Sequence, residues 1–359
     1  MSRGALLSVL LLTLGAAPQG PPSIQNGRVE TRQTSTLDRD IAAAAASSVD
    51  PVWVGWRVPI VEGQRGGCCT YVDDWTSVRG CFVENSSNAL VRQVPQITPP
   101  AAVPIEAGSG LVVLLRVVDT RVERLRTLGD DCPLDAGGRT VYWLQGVTPA
   151  DSIKFLEGLL RPNSGMNPVQ EQRLSSEALS AIALHRDPAA DAILDRLASA
   201  ASDSSLRRTA RSSLGSTRGA HGFAVIRQLI DAEQLPEIRR QLVNALGQTR
   251  QPGSADALLG IARRDPDAKI RAEAVYWVPQ RGGPRVVSDV TAIIDSETSD
   301  EVKRRAVKGL ARLPADDSIP VLLQLARANK SPLVKKEAVA ALGQSKDPRA
   351  MAYLEGLLK

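Results

Sequence analysis

A 32-residue period constrains this chain more than anything else in it. The stretches RRQLVNALGQTRQP (239–252) and KKEAVAALGQSKDP (335–348) are near copies, ninety-six residues, or three periods, apart. Stepping by 32 from Leu174 meets Leu206, Ile238, Ile270, Val302 and Val334, all branched aliphatics. Four residues on stand Ala178, Ala210, Leu242, Ala274, Ala306 and Ala338; eight on stand Ile182, Leu214, Leu246, Val278, Leu310 and Leu342. Offsets 0, 4 and 8 lie on one helix face. A second apolar pair at offsets 20 and 23 runs from Leu194 and Leu197 to Leu354 and Leu357. Each unit therefore predicts two amphipathic helices.

The punctuation keeps the same register. Gly215, Gly247 and Gly343 at offset 9 are expected as left-handed C-caps. Pro188, Pro252, Pro284 and Pro348 at offset 14 suit the first position of the second helix. Asp203, Asp267, Ser299 and Ser331, three residues before the anchor, suit N-caps. Repeated helix pairs of about this length define an α-solenoid, in which stacked neighbours bury what one unit cannot. Units such as VKKEAVAALGQSKDPRAMAYLEGLL resemble the short HEAT repeats of phycobilisome lyases, over Leu174 to Lys359. The resemblance implies the fold. It leaves function open, since that family holds scaffolds, lyase subunits, a diiron hydroxylase and DNA glycosylases. The hydroxylase branch holds iron with His-Glu pairs. This chain has only His185 and His221, at offsets 11 and 15, so neither the metal nor the activity carries over. Both histidines are expected in solvated inter-helix turns.

The chain of 359 residues has room for more than the solenoid. Residues 1–20 read as a signal peptide: Arg3, an apolar run from Ala5 to Leu14, then small residues. That run is too short to span a bilayer. The expected location is the periplasm or the medium. Residues 21–50 read as a linker and one short helix. From Pro51 the period changes to that of strands in PVWVGWRVPIV, LVVLLRVV with RVERLRTL as a hairpin, and TVYWLQG. Residues 51–146 are thus expected as a small β-rich domain and 147–359 as the solenoid, with a capping helix at 151–163 and six repeats from about 171. WVGWRVP followed by GGCC resembles the front part of some secreted bacterial HEAT-repeat proteins.

All four cysteines, Cys68, Cys69, Cys81 and Cys132, fall in the β-rich part. An even count with export predicts disulfides. Adjacent Cys68 and Cys69 are badly placed to join each other, which leaves 68–81 with 69–132, or 68–132 with 69–81. Asp130, Asp131 and Asp135 around Cys132 read as an acidic turn, with a calcium loop as the other reading.

No H-E-x-x-H, G-x-S-x-G or P-loop pattern is present, and no cofactor or metal is expected. Two surface features remain. Basic residues recur at offsets 1 and 2: Arg207, Arg208, Arg239, Arg240, Arg271, Lys303, Arg304, Lys335 and Lys336. They predict a positive stripe, either a solvated face or a surface for an anionic partner. Nucleic acid is not expected, since the protein is exported and no aromatics interleave the stripe. Second, Tyr276 and Trp277 break the pattern, Trp277 standing where the other repeats carry Ala, Ser or Gly. Trp277 either fills a gap or anchors a partner, and Pro279 at offset 9 predicts a local distortion of that repeat. The leading expectation is a non-catalytic scaffold binding a protein or peptide on the solenoid. The alternative is an enzyme or lyase-type subunit with a site between the β-rich part and the solenoid, using the three aspartates and the cysteines.

Overall fold

The computed structural model describes residues 20–73, 76–84, 110–161, 165–200 and 203–357. The signal peptide expected at 1–20 lies, but for Gly20, outside the described residues. The chain divides into two compact units, one of residues 1–60 and 65–152, the other of 61–64 and 153–359.

The first unit is built on a mixed five-stranded sheet. It contains β1 (Ile24–Gln25), β2 (Arg28–Gln33), α1 (Leu37–Ala46), β3 (Val52–Pro59), β4 (Thr70–Asp73), β5 (Thr76–Arg79), β6 (Cys81–Phe82), β7 (Gly110–Val118), β8 (Arg121–Gly129), β9 (Leu134–Asp135) and β10 (Thr140–Gln145). The sheet order is β2-β10-β3-β7-β8, with β10 parallel to both β2 and β3 and the other pairs antiparallel. A three-stranded sheet β1-β9-β6 and the hairpin β4-β5 complete it. The β7–β8 hairpin turns on Asp119 and Thr120, at φ 47° and 67°, the two left-handed residues that a tight twisted hairpin requires. Gly55 sits in mid-strand because a methyl there would overlap Leu114 and Trp143 of the flanking strands.

Residues 21–50 hold the expected short helix, α1, but the stretch before it is not a linker. β1 and β2 lie within that stretch, and β2 forms the sheet edge through a full parallel ladder from Arg28–Thr140 to Gln33–Gln145. Its residues RVETRQ bury no side chain; the backbone ladder, with polar contacts of Arg32 on the Tyr142 ring and Gln33 to Gln145, holds it, and no apolar alternation marks it in the sequence. The expected hairpin of LVVLLRVV with RVERLRTL is present as β7 and β8.

Helix α2 (Pro149–Gly158) contributes its residues from Ile153 on to the second unit; it starts before and ends before the helix expected at 151–163, of which 162 and 163 lie outside the described residues. Six helix pairs follow: α3 (Pro168–Leu184) with α4 (Pro188–Ala200), α5 (Ser204–Thr217) with α6 (Gly219–Ala232), α7 (Pro236–Gln248) with α8 (Ser254–Arg264), α9 (Ala268–Gly282) with α10 (Val287–Ser296), α11 (Asp300–Leu310) with α12 (Ala315–Ala328), and α13 (Pro332–Gly343) with α14 (Pro348–Leu357). Every residue at offsets 4 and 8 is fully buried, from Ala178 and Ile182 to Ala338 and Leu342. The caps behave as expected at three of four positions: Asp203, Asp267 and Ser331 accept from the first-turn amides, while the Ser299 side chain does not. No helix among the described residues is long and apolar enough to cross a membrane.

Two expectations about small residues and turns are corrected. Gly343 is the last helical residue of α13 and not a left-handed cap, and neither are Gly215 and Gly247, which both lie inside their helices. The latter two are glycine because the next repeat comes too close for a side chain: a methyl at Gly215 would overlap the Ala245 carbonyl, and one at Gly247 the Trp277 ring. His185, expected in solvent, is fully buried at the end of α3, with its Nδ1 2.8 Å from the Ala181 carbonyl oxygen. Burial, only partly offset by that bond, holds its pKa down from 6.5 to about 4. Arg218 closes the same turn, donating to the carbonyls of Ala183 and His185 and pairing with Asp191 at 2.7 Å. His221 is exposed on α6, 3.0 Å from Asp195. It is helical rather than in a turn. Helix α9 runs through Pro279; the irregularity falls after it, in a 3-10 turn (Gly283–Val286) entered at Gly283, φ 61°, that leads straight into α10.

Candidate functional site

The cysteines of the first unit are paired Cys68–Cys132 and Cys69–Cys81, with Cα separations of 5.4 and 5.0 Å. Cys81 and Cys132 lie in the core with Trp53, Val112, Leu114 and Trp143. The bridges have a structural setting, because their sulfurs pack among apolar side chains. Asp135 is buried, and its Oδ1 accepts from Asn26 Nδ2 at 3.1 Å and from the Gly137 amide at 2.8 Å. Asp130 pairs with Arg57. Two of the three aspartates of the acidic turn thus hold the turn together through protein partners.

On the solenoid, the predicted stripe divides into two kinds of residue. Arg239 and Arg271 each face an acid, Arg271 through two hydrogen bonds and Arg239 through charge proximity. Arg239 meets Asp265 at 2.7 Å, and Arg271 meets both oxygens of Glu297 at 2.9 and 3.1 Å. Each acid is the C-cap of the second helix in the same repeat. A carboxylate there faces the negative end of the helix dipole, and the arginine of the first helix offsets it. The Arg271 bond holds the Glu297 carboxyl down at a pKa of about 2. A third acid, Glu233, occupies the same offset, but its carboxylate accepts from the Leu235 amide. This column of acids 27 residues after the anchor is itself periodic in the sequence, a signal that the aliphatic and basic columns do not carry. Arg207, Arg208, Arg304 and Lys335 make no ion pair among the described residues, and Arg208, Arg304 and Lys335 are exposed.

Tyr276 and Trp277 are half-buried. Trp277 packs over Gly247 of the preceding repeat and donates from Nε1 to Glu273 Oε1 at 3.0 Å. Its ring meets Tyr276 edge-on at 5.4 Å between centroids. The Tyr276 backbone is matched by Gly309 of the following repeat, where a methyl would not fit. Arg305 stacks 4.0 Å from the Tyr276 ring centre and pairs with Glu273 Oε2 at 3.0 Å. Asn244 Nδ2 donates to Glu273 Oε1 at 2.9 Å. Buried Glu273 therefore ties three consecutive repeats together, and Trp277 fills a gap that Gly247 leaves open. The structure brings Trp277 together with Glu273, Tyr276 and Arg281, whose guanidinium lies 5.4 Å from its ring centre, and not with the basic residues of the stripe.

This packing reverses the sign of a substitution. In the native background Gly247→Ala drives a methyl into the Trp277 ring and costs about 1–3 kcal/mol. In a Trp277→Ala background the same change has room and gains the helix propensity of alanine, about 1 kcal/mol. Urea midpoints of the four proteins measure both. An equal Gly247 penalty in both backgrounds would contradict the packing.

The first helices also frame an open cavity of about 290 Å3 between α5 and α7, and contribute one wall of another, of about 640 Å3, that the α11–α12 turn and α12 close on the other side.

These features define an α-solenoid of stacked helix pairs with a polar, arginine-rich face on its first helices. The family model for HEAT repeats matches residues 190–278 and 287–359, and the C-terminal half of the chain is a HEAT-repeat solenoid. Among solved structures, Escherichia coli YibA is similar at 17% identity, covering 53% of this chain and 74% of that one, TM-score 0.34. Human deoxyhypusine hydroxylase is similar at 17% identity, over 58% of this chain and 89% of that one, TM-score 0.31. The CpcE–CpcF complex of phycocyanin lyase from Nostoc is similar at 16% identity, over 57% and 80%, TM-score 0.31. At these scores nothing about activity passes from them to this chain. No curated protein matches by sequence.

Proposed function

We propose that the protein is an exported, non-catalytic scaffold that holds a protein or peptide partner on the first-helix face of its solenoid. The observation that carries the reading is the continuity of that face. First-helix residues from Arg208 to Glu273 line the 290 Å3 cavity, and Tyr276, Arg305, Lys308 and Glu337 of the next first helices form one wall of the 640 Å3 cavity, whose other wall is the α11–α12 turn and α12; extended surfaces of stacked repeats serve as binding surfaces. Export is supported by the N-terminal pattern and by the two disulfides, which persist in oxidising compartments.

Photo-crosslinking in cells tests it. A benzophenone amino acid is placed at exposed Gln241 or Lys308 on the first helices, and at exposed Gln228 or Ala292 on the second helices. The expected result is one discrete adduct from Gln241 and Lys308 and none from the other pair, with the protein in the periplasmic fraction lacking its first residues. Adducts from the second-helix sites alone, or from no site, overturn the scaffold reading. Recovery in the cytosol with Met1 in place overturns export.

A further inference from the structure

The 290 Å3 cavity holds a charge that the protein leaves unmatched. Arg208 and Arg211 of α5 and Arg240 of α7 line it. Arg211 is buried, 5% exposed, and its Nε donates to the Ala198 carbonyl at 3.0 Å. A guanidinium cannot shed its proton to escape burial, and a buried charge without a counter-charge is costly. Burial, with the like charge of Arg207, lowers the Arg211 pKa, and only Glu233 acts the other way, without an ion pair. Arg240 has a neighbour in Glu237 at 3.2 Å. Arg208 and Arg211 have no acidic partner among the described residues.

Glu273, which also lines the cavity, is not the missing anion. Its Oε1 accepts from Trp277 and Asn244, and its Oε2 from Arg305. The remaining wall is an oriented chain: Ser212 Oγ donates to Gln248 at 3.1 Å, Gln248 Nε2 to Asn244 at 2.9 Å, and Asn244 to Glu273. Each donor points toward Glu273, so the polar wall is internally satisfied. The guanidiniums are the groups left for a ligand.

We propose that this cavity is a carboxylate subsite, in which Arg208 and Arg211 receive an Asp or Glu side chain from an acidic segment of the bound peptide. The proposal rests on the scaffold reading above and adds the chemistry of the partner. Guanidinium forks match carboxylate geometry. A volume at the low end of ligand pockets, which run from about 300 Å3, suits a side chain rather than a cofactor. The Glu273 carboxylate in the wall disfavours a dianion, which selects a carboxylate over a phosphate.

The test is fluorescence anisotropy of the full chain with fluorescein-labelled hexaglutamate, with hexaglutamine as the neutral control. Hexaglutamate binds and hexaglutamine does not. Arg208→Gln weakens binding about tenfold or more, the loss of one charge-assisted contact. Arg304→Gln and Lys335→Gln, on the same stripe but outside the cavity, change it by less than about twofold. Butyrate, a monocarboxylate, displaces the probe at concentrations where inorganic phosphate does not. Because Arg211→Gln risks misfolding, the decisive variant is the one at exposed Arg208. Equal losses from Arg208→Gln and Lys335→Gln would show diffuse attraction and overturn the subsite. So would phosphate competing as well as butyrate, or no binding of hexaglutamate. The scaffold reading survives any of these if the crosslinks from Gln241 and Lys308 still form, and fails with them if those are lost too.

Discussion

Replacing Cys68 and Cys132 together by alanine lowers the stability of the β-rich unit by about 4 kcal/mol. The bridge joins residues 64 apart, and closing a loop of that length removes roughly that much chain entropy from the unfolded state. Cys69→Ala/Cys81→Ala removes a bridge of separation 12 and costs about 3 kcal/mol by the same relation. Either loss is a large part of the stability of an ordinary domain, about 5–15 kcal/mol. Both pairs lie in or against the core that holds Trp53 and Trp143, so their removal is felt where the sheet is packed. Four of the five tryptophans fall within residues 53–143. Tryptophan fluorescence against urea therefore follows this unit in the full chain, while far-ultraviolet circular dichroism follows the helices. The expected pattern is an earlier fluorescence transition, larger for the 68–132 pair, with the helical transition unmoved. A greater loss from the 69–81 pair would contradict the pairing or the loop-closure account.

Acidification from pH 7 to pH 4 removes about 3 kcal/mol from the solenoid through His185 alone. The folded pKa is depressed to about 4 against 6.5 unfolded. Between those values the unfolded chain takes a proton that the folded chain refuses. The stabilisation is therefore complete above pH 6.5 and is lost as pH falls through about 4. The buried imidazole stands at the Ala181 carbonyl, near Asp187, which favours its protonation, and Arg218, which opposes it. Burial, the larger effect, works with Arg218 and outweighs the Ala181 bond and Asp187. His185→Asn keeps a donor for the Ala181 carbonyl but cannot titrate. Its urea midpoint, followed by circular dichroism at pH 7, 5.5 and 4.5, should fall less steeply than that of the native protein. Parallel profiles would show that His185 does not carry the dependence. Glu297, whose pKa is depressed to about 2 by Arg271, contributes stability above about pH 4.5 that fades toward pH 2. It is common to both proteins and cancels in the comparison.

The solenoid was legible in the sequence because burial in stacked helix pairs is periodic. Ala178, Ala210 and their successors are buried in every repeat for the same reason, so the reason shows as a column. The capping aspartates were legible too, since Asp203 and Asp267 act on amides two and three residues away. The glycines mislead because local and tertiary demands select the same residue: Gly215 and Gly247 answer a neighbouring repeat rather than a left-handed turn. β2 was invisible because an edge strand held by its backbone needs no apolar face.

The candidate site was less legible still. Counting arginines yields a stripe, but whether a guanidinium is free depends on what stands beside it. Arg239 and Arg271 are neutralised by C-cap acids, while Arg211, which no stripe includes, is buried beside an open cavity. By itself the sequence determined the repeat, its length, its helical pairs and the oxidisable cysteines, all properties carried by single residues or by fixed spacing along one chain. The tertiary structure alone decided which cysteines pair, which charges are matched and where Trp277 points. Each of these depends on distances between residues far apart in sequence, and electrostatic energy follows distance and burial, which composition and period do not encode.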